Sequence, residues 1–347
     1  MLHAAPVSRR PDSFVTISRR ITLPVLVAST LASAIIVTGC AARSVPAMPF
    51  LTAAAVAAPD TAARVQALLP LDALLLGEQH DAPDHQRIHR EVIETLAARG
   101  ALAAVVIEMA MQGNSTASLV KNGGANIGGA NHGGATNGGA TGGVTTDGSA
   151  AASEAAVRAA LQWNEQAWPW ATYAPAIMAA VRAGVPVMGS NMPRAQMGAA
   201  MQQPDLDQRL NGPALKAQQQ LIRIGHCNLL PESQISPMTR IQIARDVAMA
   251  NVVVEAVEKA AQPGPSGQPG QVSAAKTVVL LAGSGHVDRR LGVPLHLPPG
   301  VKSRSVLLVA GNGSDAGDRA ANFDVVWSAQ AVAPQDYCAG LKEKIKG

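Results

Sequence analysis

Aromatic side chains are scarce: four Trp, two Tyr and three Phe among 347 residues. Base-stacking surfaces need rings spread along a groove, and too few are present to make one. An excess of charge is missing as well. The formal net charge is +4, but Arg9, Arg10, Arg19, Arg20 and Asp12 lie in an N-terminal segment with the character of a signal. The remainder carries 24 basic and 23 acidic residues, a net charge of +1. The basic footprint of a nucleic-acid binder is therefore absent. Two hydrolase signatures are also lacking: there is no His-Glu-x-x-His helix and no Gly-x-Ser-x-Gly elbow. Cysteine is reduced to three. Apolar residues, in contrast, make up 48% of the chain, much of it alanine, enough for a sizeable core.

The first of the cysteines ends a recognisable pattern. Arg19 and Arg20 close a basic region, Ile21 to Val37 is mostly apolar, and Val37-Thr38-Gly39-Cys40 follows. This order reads as a signal peptide over 1–39 with a bacterial lipobox, cleaved before Cys40 and acylated on its sulfur. Ser18 to Leu23 also carries a weak twin-arginine pattern. Alanine, not aspartate, at position 41 favours the outer membrane by the usual sorting convention. The expected location is the bacterial envelope, lipid-anchored and facing the periplasm. Residues 40–60 read as a tether, and 61–345 as one α/β domain. That domain is interrupted by a Gly/Asn/Ala-rich insert at 112–152 and a Pro/Gly-rich linker at 262–271. The insert offers almost nothing to bury, so its composition predicts disorder. With Cys40 lipidated, Cys227 and Cys338 remain in an oxidising compartment, where a disulfide between them is expected.

The body is organised around Leu74-Leu75-Leu76-Gly77-Glu78-Gln79-His80, an apolar strand running into a tight turn. A helix follows with Ile88, Val92, Ile93 and Leu96 as its buried stripe. Asp81 is its expected N-cap, His85 lies near its start, and His89 reads as a border residue. Ala101 to Met109 is a second continuous apolar strand, as in a parallel sheet covered on both faces, with Glu108 expected at its end. Ala275 to Ala282 is a third, ending in Gly283-Ser284-Gly285-His286. Two strands therefore each finish in Gly-x-x-His, and parallel strands deliver their carboxyl ends to one edge. Val185 to Met188 leads into Asn191 and Arg194. Ser303 to Val309 and an edge segment at Asp324 to Trp327 complete the strands. Helices are expected at 153–163, at 173–182 with Pro175 in the first turn, at 213–224 and at 238–259, with Pro231 and Pro237 in a loop. On the last helix Gln242, Arg245, Asp246 and Met249 share a face. The fold class is α/β, a mostly parallel sheet flanked by helices with an additional helical region.

These pieces resemble the ChaN-like haem-binding uptake proteins of the Tiki/TraB/erythromycin-esterase superfamily. The resemblance rests on Gly77-Glu78-Gln79-His80 with His85, Val106-Ile107-Glu108-Met109, Trp168 to Pro175, Gly189 to Arg194, Gln242 to Ala250 and Gly283 to Val287. They occur in the family's order over roughly residues 65–310. The long insert after Met111 departs from the pattern. The resemblance implies an inward-looking Arg245, a haem ligand, and a homodimer enclosing cofactor between subunits. It also favours an apolar wall made by Trp163, Trp168, Trp170 and Tyr173, which on composition alone equally reads as a satellite core.

Glu78, His80, His85, Glu108, Tyr173, Asn191, Arg194, Arg245 and His286 are accordingly the candidate pocket residues. Three chemistries suit such a set. It can line a haem pocket, with Tyr173, His80, His85 or His286 as candidate ligands. Glu78, His80, Glu108 and His286 can hold a divalent metal for hydrolysis, as in a Tiki-like peptidase. A third reading is a non-catalytic envelope interaction protein. The first, a lipid-anchored haem-binding protein of iron uptake, is what the resemblance implies; sequence alone leaves all three open.

Overall fold

The apolar runs become the strands of one sheet. A computed structural model describes residues 60–123, 152–262 and 276–340. The signal segment and lipobox, residues 124–151 of the insert and the 263–271 part of the linker lie outside the described residues. In chain order the elements are α1 (Thr61–Gln66), β1 (Ala73–Glu78), α2 (Pro83–Ala98), β2 (Leu102–Met111), α3 (Ala117–Gly123) and α4 (Glu154–Ala160). Then come α5 (Trp170–Arg182), β3 (Val187–Asn191), α6 (Arg194–Met201), α7 (Gly212–Gly225), α8 (Glu232–Ala261), β4 (Thr277–Gly283), β5 (Ser303–Ala310) and β6 (Val325–Ala329). The sheet has six strands in the order β3-β2-β4-β1-β5-β6, and every pairing between them is parallel. β1 lies between β4 and β5, so its main-chain groups are satisfied on both sides.

Side chains alternate between the two faces, and each face has its own core. Leu74, Leu76, Val105, Ile107, Val279 and Leu281 pack with α2, α4 and α5 through Ile88, Val92, Val157 and Ile177. Ala73, Leu75, Val106, Val278 and Leu280 pack against α8 through Met249, Val252 and Val253. Burying each such Val or Leu contributes about 1.5–3 kcal/mol, and many do so on both faces. That surplus offsets the cost of enclosing Glu78 and Glu108, which are only 1% and 3% exposed.

Several elements depart from the sequence expectation. β2 does not stop at Glu108 but continues to Met111. Its register with β3 shifts between Ile107 and Met111, where four residues advance against two from Gly189 to Asn191. Glu108 thus sits inside an irregular strand, not at the end of a regular one. The insert does not begin at 112. Ser115 bridges to Met188, Thr116 is fully buried and its Oγ1 accepts the Val187 N–H at 2.9 Å. α3 follows, with Leu119 and Val120 against the core. Low complexity in the middle of the tract hid an ordered start that ties it to β3.

The N-cap of α2 is Ala82, with Pro83 in the first turn. Proline fits there because that N–H has no helical partner, and Asp81 is left to bond elsewhere. α5 begins at Trp170 after Pro169, so Pro175 lies inside the helix and removes one rung near its start. α8 likewise begins at Glu232 and runs through Pro237. Among the described residues no helix is long and apolar enough to cross a membrane. A disulfide joins Cys227 to Cys338, with Cα atoms 5.7 Å apart.

Candidate functional site

β1, β2 and β4 bring their carboxyl ends together, and four ionisable side chains meet over that edge. Alternation places Glu78 on the face of Leu74 and Leu76, under α2 and α5. It places Glu108 on the face of Val106, under α8. His80 lies between them. Its Nδ1–H donates to Glu78 Oε1 at 2.6 Å, and its Nε2 is 4.0 Å from Glu108 Oε2. One imidazole thus spans the two faces. Gly283 makes the room for it, since a Cβ at that position would lie 2.9 Å from His80 Nε2.

On the α2/α5 side, Glu78 is saturated with partners. Tyr173 donates its hydroxyl to Oε1 at 3.2 Å, and Gln86 donates Nε2–H to Oε2 at 2.5 Å. His89 Nδ1 stands 3.3 Å from Oε2. Burial alone would raise the Glu78 carboxyl; the His80 hydrogen bond and the nearby imidazoles outweigh it and hold it below its usual range. Burial also opposes charging of His80, but Glu78 and Glu108 raise its pKa above the ordinary value. Burial pushes Tyr173 up and Glu78 adds to it, so the phenol stays protonated. His89 is fully enclosed and is pushed down to about 4 by burial. It is no border residue: it faces Glu78 as a neutral imidazole. His85 Nδ1 accepts the Gln79 N–H at 2.9 Å, which fixes the proton on Nε2, and burial lowers its pKa.

On the α8 side, Glu108 Oε2 accepts the Gly283 N–H at 2.8 Å, and Oε1 accepts from Arg245 Nη2 at 2.7 Å. His286 Nε2 lies 3.3 Å from Oε1, and its Nδ1–H donates to Asp246 Oδ1 at 2.5 Å. Arg245 Nε–H also donates to Asn191 Oδ1 at 3.0 Å. Burial would depress His286, but Glu108 and Asp246 raise it to about 10. Burial opposes ionisation of Glu108; His286, His80 and Arg245 more than reverse this and hold it well below the carboxylate range.

Seven of the nine residues expected from sequence therefore form one connected network: Glu78, His80, Tyr173, Glu108, Asn191, Arg245 and His286. His85 braces the turn carrying His80 without touching either carboxylate. Arg194 is exposed at the start of α6 and makes no hydrogen bond or ion pair to the network. Gln86, His89 and Asp246 are partners whose roles the sequence reading did not assign. His89 gave a signal in its spacing, four residues after His85 on the buried stripe of α2. The polar face of α8 turns inward: Gln242 is 3.1 Å from His286 Nδ1, and Arg245 and Asp246 are both engaged.

The geometry separates the candidate ligands. Tyr173 is buried and donates to Glu78, and His286 is enclosed between two carboxylates and carries a proton on each nitrogen. His85 is fully buried. His80 alone of these four has a substantially exposed side chain, 42%, and its Nε2 has no hydrogen-bond partner. A carboxylate behind Nδ1 is the arrangement that orients a metal-ligating histidine and raises its basicity. Of the four, His80 thus presents an open ring nitrogen in a setting that suits haem iron, while Tyr173, His85 and His286 are enclosed. For the alternative metal set the donors are mutually engaged, and no group of three or more His, Cys, Asp or Glu among the described residues is disposed to hold an ion.

Outside His80, between α2 and the start of α5, is a cavity of about 400 Å³ lined by Pro83, Arg87, Arg90, Ala171 and Pro175. This falls within the range of small-molecule sites, about 300–1,000 Å³. Trp168 packs its ring 4.9 Å from that of His80, which lines the cavity, and 5.8 Å from that of Tyr173. Trp163 and Trp170 sit behind, edge to face at 5.0 Å. Trp170 and Tyr173 belong to the core, and Trp163 and Trp168 pack against it, partly buried.

Among curated proteins none matches the chain. A solved structure described as cofacial haem binding to ChaN of Campylobacter jejuni is 21% identical, with a TM-score of 0.49, covering 72% of this chain and 86% of that one. The structure of the type III effector HopBA1 is 14% identical, with a TM-score of 0.38, covering 78% of this chain and 92% of that one. The family described as haem-binding uptake, Tiki superfamily, ChaN matches residues 64–297, over nearly the span of the motifs set out above. The chain belongs to that family.

Proposed function

We propose that this protein binds haem as the cargo of an uptake system, with His80 Nε2 as the protein ligand to iron. The observation that carries this reading is the half-exposed His80, backed by Glu78 and opening on the cavity between α2 and α5. Bound haem would supply an iron for a ring nitrogen to hold, and a flat apolar ring bearing two carboxylates. Glu78 accepts the hydrogen bond from Nδ1–H and fixes the ring, so Nε2 presents its lone pair. Ala171 and Pro175 offer apolar surface, and Arg90 at the rim offers charge for the carboxylates, Arg87 being paired with Asp84 and Glu91. A proton on Nε2 competes with iron, so affinity should fall as pH drops through the raised pKa of His80. Membership of the haem-binding family supports the same reading.

The test is a haem titration followed by the Soret band. His80→Ala should weaken binding by at least about tenfold, and Glu78→Gln, which disturbs the imidazole's partner, by about 10–100-fold. An unchanged Soret position and affinity in His80→Ala would exclude His80 as the ligand. We further propose that Cys40 is acylated and tethers the domain to the periplasmic side of the bacterial outer membrane. The order of basic, apolar and lipobox residues at 19–40 supports this. One acyl chain binds membranes only marginally, so stable anchoring requires more than one. Unchanged mass and fractionation of Cys40→Ala would defeat it. A homodimer enclosing cofactor is the family-based proposal for assembly.

A further inference from the structure

The residues flanking His80 are held from the other end of the chain. After β6, residues 330–336 form neither helix nor strand. Gln330 begins this segment by donating its N–H to Asp84 Oδ2 at 2.8 Å. Tyr337 then donates its hydroxyl to Asp81 Oδ2 at 2.6 Å and accepts from Gln79 Nε2 at 3.2 Å. Gln79 and Asp81 are the immediate neighbours of His80, and they also bond to each other at 3.0 Å. The next residue, Cys338, is cross-linked to Cys227 in the turn between α7 and α8. The tail is thus a strap running from the sheet edge, across the turn that carries the candidate ligand, to the helical region.

Little else fastens it. Tyr337 is 62% exposed, so its ring contributes scant apolar burial. Its hydrogen bonds compete with water and each contributes little net. What keeps the hydroxyl beside Asp81 is the covalent tie one residue further on, which maintains a high local concentration of the tyrosine. Both sulfurs belong to residues that are only part-buried, so a reductant can reach them.

We propose that the Cys227–Cys338 disulfide is a redox latch that holds the His80 turn through Tyr337. A dithiol reductant supplies two electrons and two protons. The S–S bond breaks, Cys227 and Cys338 become thiols, and the reductant's own thiols close into a disulfide. The freed tail then lets Tyr337 leave Asp81 and Gln79, and the turn carrying His80 loosens at the mouth of the cavity.

Hydrogen exchange on the full chain without haem tests this independently of any ligand. Amides of residues 79–82 are followed in oxidised protein, in protein treated with dithiothreitol, and in oxidised Tyr337→Phe. Tyr337→Phe, with the disulfide intact, should speed their exchange by about tenfold while β2 and β4 keep their protection, and reduction should speed it at least as much. Unchanged exchange at 79–82 on reduction overturns the proposal. So does acceleration in Tyr337→Phe that extends through β2 and β4, which would mean general loosening, and so does a response to reduction at 79–82 that Tyr337→Phe fails to reproduce there.

Discussion

Glu108→Ala should be among the most destabilising single substitutions in this domain. The change leaves the Arg245 guanidinium and the His286 imidazolium facing each other without the carboxylate between them, and strips the Gly283 N–H of its acceptor. Breaking a buried ion pair by removing one partner costs about 3–5 kcal/mol, which at about 2–4 °C per kcal/mol lowers Tm by roughly 6–20 °C. The pH profile gives a second readout. Glu108 is depressed in the folded state, so its contribution is present above its ordinary value of 4.5 and lost as pH falls further. His286 is raised, so its contribution is full below 6.5 and fades as pH rises through about 10. Asp246, raised by burial, acts in the opposite sense and shallows the profile. Buried, neutral His85 and His89 take up protons only on unfolding, which lowers stability as pH falls below 6.5. Within the window of about pH 4.5 to 6.5 the wild-type protein should therefore be most stable at the upper end, and Glu108→Ala should flatten both flanks. A Tm for the variant within a degree or two of wild type across that range would show that the carboxylate is not holding the network.

Cys338→Ser should produce a comparable loss, but a conditional one. The cross-link closes a loop with a sequence separation of 111. In the chain-entropy model, loops of about 100 residues contribute about 4.7 kcal/mol by restricting the unfolded ensemble. Urea titrations in oxidising buffer should separate variant from wild type by about that amount, and titrations with excess dithiol should bring the two together. Equal midpoints under oxidising conditions would mean that the unfolded chain gains nothing from losing the tie.

The sheet was legible because its strands are buried on both sides and read as unbroken apolar runs; β1, β2, β4 and β5 stand within a few residues of where those runs lie. The Glu-x-His turn after β1 and the Gly-x-x-His turn after β4 were legible for a related reason, since polar residues directly after a buried strand have a defined edge to occupy. The shift in β2 was not legible. Its residues 108–111 are as compatible with a strand's end as with its continuation, and only pairing with β3 decides. Nor was the start of the insert: Thr116 is an ordinary residue in a polar stretch until the Val187 N–H supplies its partner. His89 fell between two signals. Periodicity placed it on the inner face of α2, but nothing in a helical pattern reveals that the floor beneath that face is a carboxylate from another element.

The division of the two glutamates between the sheet's faces turns the length of a strand into information. Glu78 and Glu108 are delivered to different sides by residue parity alone, and only His80 reaches both. Deleting one residue from the regular stretch of β2 between Ala104 and Glu108 would keep its composition and apolar character intact. It would nevertheless carry the carboxylate away from Arg245 and His286 to the side of α5, where Glu78 already stands. Two acids would then crowd one chamber while two cations faced an empty one. A substitution at Val105 or Val106 can be absorbed by repacking, but a change in count between Ala104 and Glu108, where β2 pairs regularly with β4, reverses the sign of the local field on both sides at once.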